Sequence, residues 1–302
     1  KTLINKMKLE LPAKAQNGKQ YTNKALGVLN KRLEEMTLGI DELIFGDKPL
    51  EVYDLIYRID LTFRGFKIGL ALFEELEEFY DKIMICDVLL IRRGTGSGKS
   101  TLVPPLLIAA GFEKILVTQP RRLPCRLISR RVNKTFGEFT SGWAVAGNSE
   151  NPENELIFMT DGLLKEVLCA SIYEKKNIRL PYNVIMLDEI HERGKNVDLC
   201  LALISLQLKR QKKEERTKLI LCSATVDDNI LKNFEGLKID TFVEEDIVNP
   251  NIHTEKNHSK HILELAAELS KRMDADQQLL CFLPSTKDVR EATEIFEEKF
   301  IE

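Results

Sequence analysis

The sequence predicts an α/β fold, a parallel sheet covered on both faces by helices, and two observations carry that expectation. From Val88 onward, short apolar runs alternate with stretches whose apolar residues recur at helical spacing. The residues with most chemical character follow the carboxyl ends of those runs, which is where parallel sheets place their ligands. Composition allows such a core. Of 302 residues, 43% are hydrophobic and 30% charged, the balance of a globular chain with room for about two domains.

The chain opens with an arm, residues 1–24, in which Lys1, Lys6, Lys8, Lys14, Lys19 and Lys24 stand against a single acid, Glu10. It reads as a solvated arm. Leu26, Leu29, Leu33 and Met36 then recur at helical spacing, and Gly39 is expected to end that helix. A clearer amphipathic helix carries Leu72, Phe73, Leu76, Phe79, Tyr80 and Ile83 on one face and Glu74, Glu75, Glu77 and Glu78 on the other. It leads into an apolar run, Val88–Ile91, read as a strand buried on both faces. Further strands are expected at Lys114–Thr118, Leu156–Met159, Asn183–Leu187 and Lys218–Cys222. Helices are expected at Leu102–Ile108, Arg122–Val132, Gly162–Leu168, Val197–Leu208 and Asp228–Phe234.

Residues 243–260 are polar and turn-rich and read as a linker. Beyond it come a helix at Ile262–Met273, a strand at Gln278–Leu283 and a helix at Asp288–Phe300. The predicted organisation is a partly helical N-terminal extension at 1–66, a first lobe at 67–242, the linker, and the beginning of a second lobe at 261–302.

The formal net charge is -3, so any nucleic-acid surface must come from local clustering. Cys86, Cys125, Cys169, Cys200, Cys222 and Cys281 are scattered without metal-site spacing. They predict buried thiols in a reducing compartment, cytoplasmic or nuclear, or the host cytoplasm for a viral protein. No apolar stretch approaches the roughly 18 residues of a membrane span, and the start lacks a signal-type apolar core. The first residue is Lys1 rather than methionine, so an excerpt of a longer protein is expected.

The run Val88–Ile91 breaks into Gly94, Thr95, Gly96, Ser97, Gly98, Lys99, Ser100 and Thr101, followed by the helix at Leu102. Strand, glycine-rich loop and helix in that order form a P-loop. Glycines let backbone N–H groups curl around phosphate oxygens, the helix N-terminus adds partial positive charge, Lys99 reaches the outer phosphates, and Ser100 is placed to ligate magnesium. At the end of a second run, Val184–Leu187, stand two adjacent carboxylates, Asp188 and Glu189, and then His191. In a P-loop protein Asp188 is placed to hold magnesium, and Glu189 to orient and deprotonate the attacking water.

From Arg121 to Lys134 the chain carries Arg121, Arg122, Arg126, Arg130, Arg131 and Lys134 and no acid. On a helix Arg122, Arg126 and Arg130 share one face, with Leu123, Leu127 and Ile128 free to turn inward. A single-sign stripe of this kind tracks phosphates and carries little sequence preference.

In order along the chain, GTGSGKST (94–101), TQPRR (118–122), MTDGLL (159–164), LDEIHERG (187–194), SAT (223–225) and LCFLPSTKDV (280–289) resemble the motifs of superfamily 2 DEAH/RHA-type (DExH-box) helicases. The resemblance spans about residues 72–296. It implies two RecA-like lobes, ATP or another NTP bound between them with Mg2+, and RNA, as a single strand or tailed duplex and less often DNA, crossing both. The implied activity is an NTP-dependent RNA helicase, an ATP hydrolase coupled to translocation or unwinding. By the same resemblance Asp188, Glu189 and His191 form the catalytic box with Lys99, and Ser223 and Thr225 couple nucleotide state to strand movement. Arg121, Arg122, Thr160, Asp161 and Gly162 would grip the nucleic-acid backbone.

The family's two later second-lobe motifs have no counterpart after Val289, and Arg290 is the only arginine after Arg272. A chain without the rest of that lobe is expected to be a poor ATPase that cannot unwind a duplex. Three departures stand out. Arg93 occupies a position where the family has glycine or another small residue, Pro124 lies three places into the arginine helix, and no aromatic occurs between Phe242 and Phe282. Two rival readings stay open: a P-loop ATPase that remodels protein, and a degenerate lobe serving as an RNA-binding or docking module, the latter motivated by Arg93.

Overall fold

The computed structural model describes residues 5, 8–9, 11–45, 49–94, 96–173, 180–223, 228–243, 262–274, 277 and 279–300. Thr95 and Thr225 of the expected site lie outside these residues, as do 244–260 of the expected linker and residue 261 of the expected second lobe. The chain divides into two compact units, Lys1–Ile247 and Val248–Glu302.

In the first unit, alternation within each apolar run decides the architecture. In β1 (Val88–Arg92), Leu89 and Ile91 join a core on one face of the sheet, whereas Val88 and Leu90 join a second core on the other. The same division splits Ile115 and Val117 from Leu116 in β2 (Ile115–Gln119), and Val184 and Met186 from Ile185 and Leu187 in β6 (Val184–Leu187). Between them lie β3 (Ser141–Val145), β4 (Asn148–Glu150) and β5 (Leu156–Thr160); β7 (Lys218–Ser223) and β8 (Ile239–Val243) follow. The eight strands are ordered β4-β3-β5-β2-β6-β7-β1-β8, and all pairings are parallel except β3 with β4.

Sequence periodicity missed β3, β4 and β8. β3 opens on Ser141 and Gly142, β4 is polar and exposed throughout, and β8 alternates over only a few residues, so none shows the apolar run that marks the others.

Helices α1 (Asn23–Phe45), α2 (Pro49–Ile68), α3 (Leu76–Ile85), α4 (Lys99–Ala109) and α5 (Arg122–Phe136) contribute to the first core. Helices α6 (Asp161–Tyr173) and α7 (Lys195–Arg210) cover the other face. Gly39 does not end α1. It faces α2, where an added Cβ would stand 3.2 Å from Leu55 Cδ2, so close helix packing explains it rather than a cap. The expected helix at Leu72–Ile83 begins as a 3-10 turn, Ala71–Glu75, before becoming α3, and its apolar face is buried as anticipated. The segment Asp228–Phe234 is 3-10 rather than α. Pro124 falls in the first turn of α5, where no intrahelical N–H bond is lost.

Residues 59–66 bury Ile59, Leu61, Phe63 and Phe66 in the same core as α4 and the sheet, and α2 runs across position 66 into Ile68. Phe66 stacks on Tyr21 at 4.3 Å and meets Phe73 edge-on at 5.6 Å. Of the cysteines, Cys86, Cys125, Cys200 and Cys222 are buried free thiols; Cys169 and Cys281, expected to be buried, are exposed.

The second unit contains α8 (Ile262–Ser270) and α9 (Thr286–Phe300). The strand expected at Gln278–Leu283 is not formed across 279–283. No neighbouring strand among the described residues of that unit offers its backbone a ladder, and Leu280 and Phe282 are exposed.

Candidate active site

The parallel register sends five strand ends to one edge. β1 delivers the phosphate loop, β2 delivers Gln119, β5 delivers Thr160 and Asp161, β6 delivers Asp188 and Glu189, and β7 delivers Ser223. Gly96 and Gly98 take φ of 83° and 93°, a left-handed turn that glycine adopts without strain. A Cβ on Gly98 would come within 2.6 Å of Leu70 Cδ1, whereas Gly94 and Gly96 face open space. Lys99 is buried, and its Nζ donates to the carbonyls of Arg93 at 2.7 Å and Gly94 at 2.8 Å. The ammonium therefore already bridges the loop into which it would pull a phosphate.

Asp188 is 1% exposed, and its carboxylate gathers donors from three other sites. Ser100 Oγ and Gln119 Nε2, the latter at 2.7 Å, donate to Oδ2, while the backbone N–H of Glu189 donates to Oδ1 at 3.0 Å. A carboxylate this buried is tolerable because it is hydrogen-bonded on both oxygens. Gln119 was not singled out from the sequence. Its signal was a polar residue closing an apolar strand at the sheet edge where the carboxylates end.

Glu189 and Arg193 adopt left-handed backbone, φ 54° and 47°, on either side of the 3-10 turn Ile190–Glu192. Side chains other than glycine are strained there, a cost of order 1–3 kcal/mol each that the surrounding bonds must hold. His191 Nδ1 lies 3.4 Å from Glu189 Oε2. Burial, then the neighbouring Asp188 carboxylate, raise the Glu189 carboxyl above the usual range, partly opposed by His191 and Lys99. Asp161, 5% exposed at the start of α6, is pushed up to about 6 chiefly by burial. Among the described residues its Oδ1 has no hydrogen-bond partner.

The residues here fit a triphosphate and its metal on this chain's own features. Among the described residues Ser97 Oγ is buried without a partner, the glycines leave a cradle, and Lys99 supplies a cation. Among the described residues no group of three His, Cys, Asp or Glu converges as a metal cage. Magnesium would suit such a site, because it takes one or two protein ligands, for which Ser100 and Asp188 are the residues in position, and completes its shell with phosphates and water.

The arginines separate. Arg122, Arg126 and Arg130 are exposed along α5, with Arg122 Nη2 donating to the Ala146 carbonyl at 2.7 Å. Leu123 and Leu127 do not turn inward. They are 62% and 51% exposed, because Cys125, Ser129, Val132 and Phe136 form the buried face, and only Ile128 of the expected trio packs on the core. Arg121 lies 3.7 Å from Glu192. Arg131 instead lines a cavity with Gly96 and Thr101 beside the phosphate loop. Thr160 and Gly162 flank Asp161 at the end of β5, and Ser223 closes β7.

Arg93 does not obstruct the cradle. Its side chain turns away from the loop and is buried, with Nη1 2.5 Å from Glu75 Oε2 and Cζ 5.2 Å from the centre of the Phe242 ring on β8.

Fold and site together define a RecA-like P-loop lobe. No family model matches the chain. It is similar to a putative ATP-dependent RNA helicase of Schizosaccharomyces pombe, 28% identical over 261 residues, covering 78% of this chain and 22% of that protein. It is 37% identical over 162 residues to the Drosophila melanogaster ATP-dependent RNA helicase DHX33, covering 50% of this chain and 22% of that one. The Escherichia coli DEAH/RHA helicase HrpB shares the fold, with a TM-score of 0.62 and 23% identity over 77% of this chain and 30% of that chain. The DEAH/RHA resemblance carried by the motifs is thus borne out by relatives named as ATP-dependent RNA helicases and by a structural neighbour of that class. The matches span about a quarter of those relatives' lengths.

Two stability measurements follow from this geometry. Arg93→Ala leaves the Glu75 carboxylate unpaired and removes the face against Phe242, so chemical unfolding should show a loss of about 2–4 kcal/mol. Arg93→Lys should recover less than half of it, since an ammonium lacks the planar fork. For Asp161, the folded pKa of about 6 lies above the ordinary 3.8, so the folded state holds the proton more tightly. Its contribution is favourable below the lower value and is lost as pH rises through the upper one. Relative to Asp161→Asn, the unmodified chain should lose roughly 3 kcal/mol across that window, read from unfolding midpoints at a series of pH values.

Proposed function

We propose that this chain carries the first lobe of an NTP-dependent RNA helicase of the DEAH/RHA type, with residues 261–302 beginning a second lobe. The observation that carries the reading is the convergence of Ser100 and Gln119 on the buried Asp188 carboxylate, which joins the phosphate loop to the acidic box across the sheet. ATP is the substrate. Magnesium held through Ser100 and Asp188 would neutralise charge on the phosphates. Lys99 exchanges its loop carbonyls for the outer phosphate oxygens, and Glu189 orients the attacking water and accepts its proton, with His191 beside it. Phosphate contacts from Arg122, Arg126 and Arg130 hold an RNA strand without reading its sequence. The rest of the second lobe, which would supply arginines to the γ-phosphate, is proposed to lie outside this sequence. The degenerate-module reading loses its motive, because Arg93 points out of the loop. Among the described residues no helix is long and apolar enough to cross a membrane.

Lys99→Ala should weaken binding of a non-hydrolysable ATP analogue by about 10–100-fold, the worth of its charge-assisted bonds. Glu189→Gln should bind within about threefold of the unmodified protein while phosphate release falls by roughly 10²–10⁴. Unchanged affinity in Lys99→Ala sinks the phosphate-loop assignment. For the stripe, replacing Arg122, Arg126 and Arg130 by alanine should weaken single-stranded RNA binding equally for unrelated sequences. The log–log salt slope should flatten by about 0.7 per lost contact. An anisotropy titration across a salt series measures both, and normal binding returns the stripe to a solvated helix face.

A further inference from the structure

One member of the basic run is already engaged by an acid at the edge where the strands end. Arg121 stands immediately before α5 in extended backbone, φ -130° and ψ 152°, and so lies outside the helical row of Arg122, Arg126 and Arg130. Its Nη2 is 3.7 Å from Glu192 Oε2. The two side chains are 75% and 40% exposed, so water and solutes reach the pair.

The partners differ in freedom. Glu192 closes the 3-10 turn Ile190–Glu192, which stands between the left-handed residues Glu189 and Arg193, and its N–H donates to the Glu189 carbonyl at 3.0 Å. Arg193 is anchored in turn, its Nε donating to Asp198 Oδ1 at 3.0 Å. Arg121 is held at its backbone, where the carbonyl accepts from Cys125 Sγ at 3.4 Å, and its guanidinium makes no hydrogen bond among the described residues. The carboxylate is therefore the fixed half, and the guanidinium is the half that swings. Glu192 also stands near other acids: after burial, the main cause, its charge helps to raise the Asp161 carboxyl. A carboxylate so placed draws in a cation.

We propose that Glu192 is a resident substitute for an RNA phosphate, occupying Arg121 in the RNA-free chain and yielding it to the strand; the inference rests on the RNA-binding reading above. An exposed pair of this kind is weak. A strand already held by Arg122, Arg126 and Arg130 presents its next phosphate to Arg121 at high effective concentration and releases condensed counterions on contact, so it displaces the carboxylate. Glu192 thus lowers RNA affinity by a small factor, and it does so through Arg121.

The test is a double-mutant cycle on the full chain, read by anisotropy of a labelled single-stranded oligouridylate at physiological salt, where screening acts beyond about 8 Å. Glu192→Gln, nearly isosteric, should tighten RNA binding about two- to fivefold. Arg121→Ala should weaken it about tenfold, the loss of one charge-assisted contact. In the Arg121→Ala background, Glu192→Gln should change affinity by less than about 1.5-fold, because the contested guanidinium is gone. Both side chains are exposed, so thermal midpoints should not move, which separates a lost contact from a lost fold. A general loss of negative charge would tighten binding by the same factor in both backgrounds, and equal factors overturn the inference. Unchanged affinity in either single variant overturns it as well, while leaving RNA binding by the α5 stripe intact. Absence of salt-dependent RNA binding by the unmodified chain overturns the RNA-binding reading, and this inference with it.

Discussion

A buried carboxylate that must find donors organises the edge of this lobe at which the strands end. Asp188 is 1% exposed, and an ion removed from water costs several kcal/mol unless every lone pair is engaged. Its partners come from the start of α4, the end of β2 and the next residue of its own chain. Those segments meet only if β6 sits between β2 and β7 with Leu187 opposite both Thr118 and Leu221. A slip of one residue in that register would turn Asp188 into the sheet's other face and leave the ion bare. The requirement to satisfy one charge and the requirement to bury two apolar faces therefore select the same arrangement.

Arg93 shows how a departure from a loop pattern is absorbed. The first position of the loop has to let the backbone turn out of β1, and its φ is not among the positive values, so an L side chain is admitted without strain. The side chain has to go somewhere, and it goes away from the cradle, into a slot between Glu75 and the Phe242 ring. The guanidinium thereby ties the loop entrance to the 3-10 turn before α3 and to β8, while its carbonyl holds Lys99. An unusual residue becomes a brace because charge pairing and ring contact are both supplied away from the glycines of the loop.

Much of this was legible in the sequence, for physical reasons that also mark the limits. The strands buried on both faces announce themselves as apolar runs, and the phosphate loop and the Asp188–Glu189 pair were found because chemistry at strand ends is concentrated in a few residue types. β3 and β4 escaped because an edge hairpin with Ser141, Gly142 and exposed polar residues needs no apolar run. Leu123 and Leu127 were assigned to the wrong side of α5 because hydrophobicity was allowed to outrank phase. Cys125, Ser129, Val132 and Phe136, a less apolar set, are the residues at the spacing the core requires. Gln119 belongs to neither pattern, and although Arg131 stands in the basic run, its place beside the loop is not marked there. Both positions depend on which strand and helix lie next to the loop, and that is tertiary information.

The N-terminal extension illustrates the same point at larger scale. Read alone, residues 1–66 are a basic arm and one plain helix, and nothing in them names a role. In the fold, Phe63 and Phe66 enter the core that also receives Leu102, Leu106 and Leu107 of α4, and Gly65 lets the two helices approach until its missing Cβ would stand 3.0 Å from Leu106 Cδ2. Because α4 begins at Lys99, the helix that presents this lysine is packed between the sheet and α2. Its position is set partly by residues more than thirty places upstream. The extension is therefore a second layer of the same core rather than an appendage, and its arm is tied to the end of α2, where Gln16 N–H donates to the Lys67 carbonyl at 2.8 Å.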